Sequence, residues 1–241
     1  MSATARDGSQ ITTMRAAWAE FRRKRGPWVI GGAILLAIVV RSVLGPPDWT
    51  DAGAALYILV AYPFGEWAIH VHLLHLRPFA FRGRRIELAT ARAHRAHHED
   101  PRRLDLINFS PVEALAVLLL AVPAAAGLAD GVLAILGVPL AAGPLVTMLV
   151  TGFVMVGVYE WTHFLIHTGH RPRSAYYRSI WRNHRLHHYK NEHYWHGITN
   201  TLSDRVLRTH PDQADVPRSP TARTLDGDGD RDRDRDRVRT R

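Results

Sequence analysis

Four apolar tracts, each long enough to cross a lipid bilayer as a helix, constrain this 241-residue chain more than any other feature. They cover residues 28–44, 52–76, 112–137 and 143–167. A helix of roughly 20 apolar residues spans the hydrocarbon core, where backbone polar groups must be paired inside the helix. The sequence therefore predicts an all-α integral-membrane protein with a stem of four helices. The third tract could instead form a short hairpin that does not cross, but the charge of its flanking loops favours a crossing.

Arginine is concentrated in some connecting segments and absent from others. The leader 1–27, the loop 77–110 and the segment after residue 168 are rich in arginine, whereas 45–51 and 127–143 contain no Lys or Arg. Cytoplasmic loops of membrane proteins carry an excess of Lys and Arg. The pattern predicts a multi-pass cell-membrane protein with both termini in the cytoplasm.

The same pattern divides the chain into three parts. Residues 1–27 form a basic leader, read either as a partly interfacial helix or as a solvated segment. Residues 28–210 form one membrane-embedded domain, whose polar segments 77–110 and 168–210 build a helical cap on the cytoplasmic side. Residues 211–241 hold eight Asp and eight Arg with little apolar content. Such a composition predicts a disordered tail.

Composition excludes several classes of function. The chain contains no cysteine, which excludes disulfides, thiolate zinc sites, iron–sulfur clusters and cysteine nucleophiles. The net charge of +9 comes from arginines between the apolar tracts, and no nucleic-acid-binding motif accompanies it. The charge therefore indicates membrane topology rather than nucleic acid.

Ten of the fifteen histidines form four clusters on the predicted cytoplasmic side. The clusters are HxxxxH, HxxHH, HxxxH and HxxHH, made of His70, His75; His94, His97, His98; His163, His167; and His184, His187, His188. Neutral imidazole is the commonest metal ligand in proteins. Ten imidazoles are too many for one ion, so the pattern predicts two ions with four or five ligands each.

Helical geometry brings most members of each cluster together. Residues i, i+3 and i+4 share one helix face, so each HxxHH motif converges if its segment is helical. His70 and His75 differ, because five residues diverge by roughly 140° on an ideal helix. The spacing predicts that these two reach different metals or two edges of one site.

Other polar residues near the clusters are candidates for supporting them. Glu66 lies four residues before His70, and Glu160 lies three before His163. Each carboxylate could fix the tautomer of its neighbouring imidazole, or it could pair with a nearby arginine. Further histidines are candidates for surface positions or for contacts with the ligands; they are His72, His170, His193 and His196.

The position of the clusters narrows the chemistry. Ligands at the ends of membrane helices meet alkyl chains, which cannot be hydrolysed but can be oxidised with a redox metal and dioxygen. Among the metals that imidazole binds, iron is the natural choice for this reaction. Two iron ions are therefore the expected cofactor, and zinc can replace them in a purified sample.

The four-box order H70xxxxH75, H94xxHH98, H163xxxH167, H184xxHH188 resembles the fatty acid hydroxylase / sterol desaturase superfamily of integral-membrane diiron oxygenases. The resemblance extends over roughly 52–209 and includes HYWHG (193–197) and SDRVLRT (203–209). Two departures are Arg208, where the family commonly has Gly, and His196, where an aromatic residue or Asn is more usual.

The resemblance implies O2-dependent hydroxylation of an alkyl C–H bond in a fatty acyl, sterol or carotenoid lipid, with the ten box histidines as metal ligands and no other catalytic residue. A desaturase with the same metal centre is the alternative reaction, and a non-redox metal-binding transporter or sensor is the alternative class. The chain has no dinucleotide fingerprint, so electrons must come from a separate ferredoxin- or cytochrome-type donor with its reductase. The arginine-rich cytoplasmic face is suited to an acidic donor.

Overall fold

The computed structural model of the protein describes residues 7–225, and its regular structure is almost entirely helical. This confirms the predicted all-α class; within the described residues, a single two-stranded hairpin is the only sheet. The described chain divides into two compact units. The first unit contains residues 7, 66–106 and 171–225, and the second contains residues 8–65 and 107–170.

Nine α-helices and one hairpin follow one another along the described residues. They are α1 Met14–Phe21, α2 Gly26–Ser42, α3 Trp49–Ile69, β1 Phe79–Phe81, β2 Arg84–Ile86, α4 Ala89–Glu99, α5 Pro111–Ala116, α6 Val122–Ile135, α7 Ala142–Ile166, α8 Ala175–Tyr189 and α9 Leu202–Val206. Two π-helical turns, His70–Leu74 and Val117–Ala121, continue α3 and α5. Short 3-10 turns lie at Gly8–Gln10, Leu104–Leu106 and Gln213–Asp215.

Local side-chain bonds explain where several helices begin. Ser110 and Glu113 form a reciprocal capping box at the start of α5. The Ser174 hydroxyl accepts a hydrogen bond from the Tyr177 backbone N–H and caps α8. Such caps satisfy backbone N–H groups that have no partner inside the helix.

Several helices of the second unit pack around an apolar core. Helices α2, α5, α6 and α7 meet there, and the buried side chains include Ile30, Leu118, Val122, Phe153 and Val156. Many other apolar side chains on these helices are exposed, among them Leu35, Leu119 and Ile135. Exposed apolar surface on long apolar helices is the pattern expected of helices that face lipid.

Three segments are long and apolar enough to cross a membrane: Trp49–Leu74, Leu104–Ile135 and Ala142–Ile166. Helices α1 and α2 pass the same test together but are bent by 82° at the break between them, so they form a broken span or a re-entrant segment. The number of spans is therefore three or four, which fits the predicted multi-pass membrane protein. Helix α1 lies inside the predicted leader, 1–27.

A partly buried polar cluster joins three helices of the second unit. The Arg41 guanidinium on α2 pairs with the Asp51 carboxylate on α3, with Nη2 2.7 Å from Oδ2 and Nε 2.8 Å from Oδ1. The Thr147 hydroxyl on α7 donates to Asp51, and Arg41 also donates to the Gly45 carbonyl. The Arg41 guanidinium therefore forms an ion pair that links α2 to α3.

The predicted tail is partly wrong. Residues 211–225 are an ordered part of the first unit, with Val216, Ala222 and Leu225 buried. These apolar residues are spaced among polar ones without helical or strand periodicity, yet each is buried against the rest of the unit. The remainder of that prediction, residues 226–241, lies outside the described residues.

Candidate metal centre

The two HxxHH motifs lie on the last turns of α4 and α8, and the structure brings them together. All six of their histidines are buried. The His98 and His188 ring centroids are 4.0 Å apart, and those of His97 and His188 are 4.8 Å apart. Histidines from different clusters thus lie together, as ions with four or five imidazole ligands each would require.

One set of five histidines in the first unit has the geometry of a metal site. Each offers a ring nitrogen that lies within 4.8 Å of the others; the members are His70, His75, His94, His98 and His187. The His70 and His94 Nε2 atoms are 3.2 Å apart. Nitrogens converging in this way match the requirement of an imidazole-bound ion, whose ligands each approach to about 2 Å.

A π-helical turn explains how His70 joins His75 in the same set. The backbone N–H of His75 donates to the His70 carbonyl, an i→i+5 bond that widens the turn over His70–Leu74. On an α-helix the two side chains would diverge, but the wider turn returns them to one face, with ring centroids 4.9 Å apart. The expectation that they reach different metals is wrong for this reason, whereas one shared site, the other reading, agrees with the structure. Such turns are rare in proteins, and those that occur often lie at functional sites.

Backbone carbonyls set the tautomers of three histidines in this set. The Nδ1 atoms of His70, His98 and His187 lie 2.7, 2.9 and 2.8 Å from carbonyl oxygens. The carbonyls belong to His196, Ala222 and Tyr194. A carbonyl only accepts hydrogen bonds, so Nδ1 carries the proton and Nε2 keeps its lone pair.

Three members of this set have ring nitrogens without a partner in the described part of the chain. Among the described residues, 7–225, the Nε2 atoms of His75, His98 and His187 are buried and have no hydrogen-bond partner. Burial lowers the pKa of His98 to about 4 and that of His187 well below its usual value. Neutral imidazoles with buried, unshared lone pairs are what a transition-metal ion requires, so these residues fit iron or zinc.

The other three HxxHH histidines form a second group in the first unit. One ring nitrogen of each of His97, His184 and His188 lies within 4.8 Å of the others, and the His184 and His188 Nε2 atoms are 3.0 Å apart. All three residues are almost completely buried. This group holds the histidines of the two motifs that the first set does not use.

His163 and His167 lie in the second unit, at the end of α7. Their ring centroids are 4.9 Å apart in an edge-to-face arrangement, and both side chains are buried. A spacing of four residues on a helix places them on one face, as the sequence predicts. They form the only predicted ligand pair in that unit.

The two carboxylates beside the histidines accept hydrogen bonds from the backbone instead of from the imidazoles. Glu66 accepts hydrogen bonds from the Ile198 and Thr199 backbone N–H groups and from the Thr199 hydroxyl. Glu160 accepts from the Phe109 backbone N–H and the Asn108 side-chain amide, at 3.2 and 3.0 Å. Buried backbone N–H groups need acceptors, and these carboxylates supply them.

The contacts of Glu66 and Glu160 correct both readings made from the sequence. Neither carboxylate bonds the histidine that follows it on its helix, and neither makes an ion pair with an arginine of the described chain. Their role is to hold the loops at Ile198 and Phe109.

The remaining candidate histidines take different positions. His196 is buried, and its ring packs on those of His70, His75 and His187, so it contacts the first set without joining it. His193 is largely exposed and lies 3.5 Å from the Glu192 carboxylate. His72 is exposed and packs on Trp67, and His170 reaches the Thr12 carbonyl.

Asp204 organises the loop that carries His196. Its carboxylate accepts from the backbone N–H groups of His196 and Gly197, at 3.0 and 2.7 Å, and from the Thr209 hydroxyl. A side chain at Gly197 would start 2.1 Å from the Asn200 carbonyl oxygen, so only glycine fits. Arg208 follows α9 with a φ of 60°, a left-handed conformation that glycine adopts most easily. The SDRVLRT segment thus positions the carbonyl that orients His70.

A segment that the sequence analysis assigned to the tail contacts the centre directly. We call residues 217–225 the C-terminal strap. Besides the Ala222 carbonyl bonded by His98, the Arg223 guanidinium donates to the backbone carbonyls of His98, at 2.9 Å, and Glu99. These bonds fasten the strap to the end of α4.

The strap is fastened at its other end to the residues that follow α8. The Ser219 N–H donates to the Lys190 carbonyl, and the Ser219 and Thr221 hydroxyls donate to Glu192. Leu225 then lines a cavity of about 250 Å³ that also reaches His75. The strap has no motif of its own, so sequence reasoning had no signal by which to find it.

Comparison with known proteins agrees with the resemblance carried by the four histidine boxes. The model of the family described as fatty acid hydroxylase matches residues 55–209, which include every histidine of the four clusters. A dihydroceramide fatty acyl 2-hydroxylase of Arabidopsis thaliana is 27% identical over 156 residues, which is 64% of this chain and 61% of that protein. The chain therefore aligns with about three fifths of the length of this relative. No solved structure matches.

Proposed function

Because the chain belongs to the fatty acid hydroxylase family, we propose that it is a membrane-bound oxygenase that hydroxylates an alkyl C–H bond of a lipid. The reaction takes one C–H bond, one O2, two electrons and two protons, and yields one C–OH group and one water. The family match supports lipid hydroxylation, and the fit of the histidines to metal supports the use of dioxygen.

The single observation that carries the proposal is the state of the first histidine set. Buried Nε2 lone pairs of His75, His98 and His187 have no protein partner within the described chain. Leaving polar atoms buried without partners is costly, and natural proteins tolerate it mainly where a ligand satisfies them. A bound ion satisfies all of them at once.

We propose two iron ions as the cofactor. His70, His75, His94, His98 and His187 would hold one ion, supported by their converging nitrogens. His97, His184 and His188 would contribute to holding the other, and the order of boxes in the sequence makes His163 and His167 the further candidate ligands. Iron at these positions would supply the redox chemistry that dioxygen needs to oxidise an unactivated C–H bond.

The protein residues around the centre bind and orient rather than react. The carbonyls of His196, Ala222 and Tyr194 keep the proton on Nδ1 of three ligands, so that each Nε2 stays available. Hydrogen bonds of this kind also increase the basicity of a metal-bound imidazole. Asp204 and the C-terminal strap hold two of those carbonyls in place.

We propose a fatty acyl chain as the part of the lipid that reacts. The Arabidopsis relative carries a fatty acyl 2-hydroxylase in its name, and the shared region includes the histidine boxes. Ligands that follow directly on apolar, membrane-length helices are within reach of a chain that stays in the bilayer.

Electrons would come from a separate ferredoxin- or cytochrome-type protein on the cytoplasmic side, where the positive-inside rule also places both termini. Exposed arginines of the loop between the second and third predicted spans, such as Arg92 and Arg102, suit an acidic donor. Charge reversal at both positions should then slow turnover with the donor and reduce its salt dependence. Iron content should stay the same.

The proposal is tested on the full-length protein purified from iron-supplemented cells. We expect about two iron ions per chain, as ten imidazoles allow, and O2 consumption that depends on reductant and lipid. Lipid profiles of cells with and without the gene should differ by a product that has gained one oxygen. A product that has lost two hydrogens instead would indicate a desaturase.

The zinc-loaded protein is the matched control. Zinc binds the same imidazoles but has no redox chemistry, so it should support folding without O2 consumption. A purified protein that binds neither metal, or binds iron without any lipid-dependent O2 uptake, would refute the proposal.

A further inference from the structure

The hairpin β1–β2 carries two exposed aromatic side chains on a surface rich in arginine. Phe79 is 45% exposed and Phe81 57% exposed. The strands pair antiparallel, with Phe79 opposite Ile86 and Phe81 opposite Arg84. Side chains of directly paired residues lie on the same face, so Phe79, Phe81, Ile86 and Arg84 share one face.

The opposite face of the hairpin is different in character. It carries Ala80 and its partner Arg85, with no large apolar side chain. Large apolar groups are therefore confined to one side of a two-stranded ribbon. A two-stranded hairpin gains little stability from its own contacts. An exposed apolar face on such a hairpin is therefore a candidate surface for binding a protein or a membrane.

The turn of the hairpin places more positive charge beside the aromatic face. Arg82 and Gly83 both have positive φ, 48° and 75°, which is the conformation of a tight two-residue hairpin turn. The Arg82 guanidinium lies over the Phe81 ring, 5.4 Å from its centroid. Arg82 and Arg84 thus flank the aromatic rings. Membrane-surface segments often combine these groups, since the rings insert into the bilayer interface while the cations bind lipid phosphates.

Chain length keeps this hairpin near the bilayer. The span Trp49–Leu74 ends five residues before Phe79. Five residues reach at most roughly 17 Å at about 3.4 Å each, so the hairpin can lie in the headgroup layer that begins where the span ends.

We propose that the β1–β2 hairpin is an interfacial anchor that inserts Phe79 and Phe81 among anionic lipid headgroups at the cytoplasmic face of the membrane. The flanking arginines bind the lipid phosphates, and their charge is the reason why anionic lipid is the partner. The same arginines could serve an acidic electron donor, but that partner does not need two exposed phenylalanines on one face. The anchor is independent of the reaction that the histidines support.

The test uses the absence of cysteine from the natural sequence, because each single-cysteine variant then carries one label. Phe81→Cys is labelled with a nitroxide, and the full chain is placed in nanodiscs that contain phosphatidylglycerol. Collision rates with O2, which concentrates in lipid, and with a water-soluble nickel chelate give the depth of the label. Ala80→Cys is the matched control, since it is also exposed but lies on the other face of the same strand.

We expect a higher O2-to-nickel ratio at position 81 than at position 80. The ratio at position 81 should fall when Arg82 and Arg84 are changed to Glu, or when the anionic lipid is replaced by a zwitterionic one. Phe79→Cys repeats the measurement if the Phe81 variant does not fold. Equal, water-like ratios at positions 80 and 81 would overturn the proposal. So would a label at position 81 that stays aqueous in the disc and becomes immobile only when an acidic donor protein is added.

Discussion

Two polar clusters, one in each unit of this protein, differ in how their shielded polar atoms are satisfied. In the second unit, Arg41, Asp51 and Thr147 satisfy one another, with both carboxylate oxygens of Asp51 receiving hydrogen bonds. In the first unit, imidazoles are packed against imidazoles, and buried Nε2 atoms such as those of His75 and His98 have no partner within the described chain.

The difference separates a cluster that stabilises the fold from one that is arranged for a ligand. A paired guanidinium and carboxylate complete their hydrogen bonds inside the protein, so nothing further needs to bind. Neutral imidazoles with their lone pairs facing each other repel slightly and gain nothing until an ion lies between them. The two clusters therefore differ in whether their polar atoms are hydrogen-bonded within the protein, and not merely in polarity or burial.

The largest effect should come from removing one histidine of the first set. We expect His75→Ala to reduce hydroxylation by at least about 100-fold, more than the loss of a residue that only orients a ligand. Without metal, the variant should lose the packing of the ring but no hydrogen bond of Nε2, so its loss of stability should be small beside its loss of metal. Product formation and metal content measure the first effect, and thermal unfolding in detergent measures the second.

His72→Ala is the matched control for this variant, because His72 lies on the same π-helical turn but is exposed. It should retain metal and activity. Equal losses in the two variants would mean that the turn, and not the ligand, is responsible.

The next largest effect should follow from loosening the C-terminal strap. Arg223→Ala removes the bonds to the His98 and Glu99 carbonyls, and we expect a decrease in metal affinity of about 10- to 100-fold, the range for lost outer partners of ligands. Competition with a chelator measures the affinity. The control is Arg218→Ala, which removes an exposed arginine of the same strap, five residues before Arg223, and should leave the affinity unchanged.

Breaking the ion pair of the second unit should have the reverse signature. Asp51→Asn leaves Arg41 without its charge partner between helices, so the protein should unfold at a lower temperature. Iron per folded chain should not change. Asp105→Ala, which removes the exposed ion pair with Arg103, should have a smaller effect on unfolding. A loss of iron in Asp51→Asn would contradict the separation of the two clusters.

The smallest effect concerns the acid sensitivity of the metal-free protein. Burial lowers the pKa of His98 to about 4, below the usual value of 6.5, so the unfolded state binds its proton first. Its stabilising contribution should be complete above pH 6.5 and be lost as the pH falls towards 4. Thermal unfolding at a series of pH values measures this slope.

The zinc-loaded protein should resist the same acidification to a lower pH, because a bound ion keeps the imidazoles deprotonated. Asp51→Asn should keep the slope of the natural protein in this window. A slope that is equally steep with and without metal would assign the acid sensitivity to other groups.

Much of the fold was predictable because it depends on local patterns. Length and apolarity of the tracts predict membrane helices, and the HxxHH spacing predicts which histidines share a helix face. The meeting of the His94 and His184 clusters agrees with the prediction of four or five ligands for each ion, because no single cluster contains so many histidines. Arg208 was recognised as a departure from the family, and its left-handed backbone supplies the physical reason why glycine is common there.

The errors arose where the decisive partner is a backbone group. Nothing in the sequence around His70 predicts a π-helical turn, which depends on one i→i+5 bond. Glu66 was expected to orient a histidine but accepts backbone N–H groups more than 130 positions away, at Ile198 and Thr199. Backbone groups are the same at every residue, so no pattern of side chains identifies them in advance.

By itself, then, the sequence determined the helical membrane class, the family and the histidines from which a metal site is built, since these depend on residue type and short-range spacing. Only the tertiary structure decided which histidines converge, which nitrogen of each faces the site, and that residues 217–225 hold His98 in place. Those features require carbonyl oxygens from distant parts of the chain to arrive within hydrogen-bond distance, and that is a property of packing rather than of any local pattern.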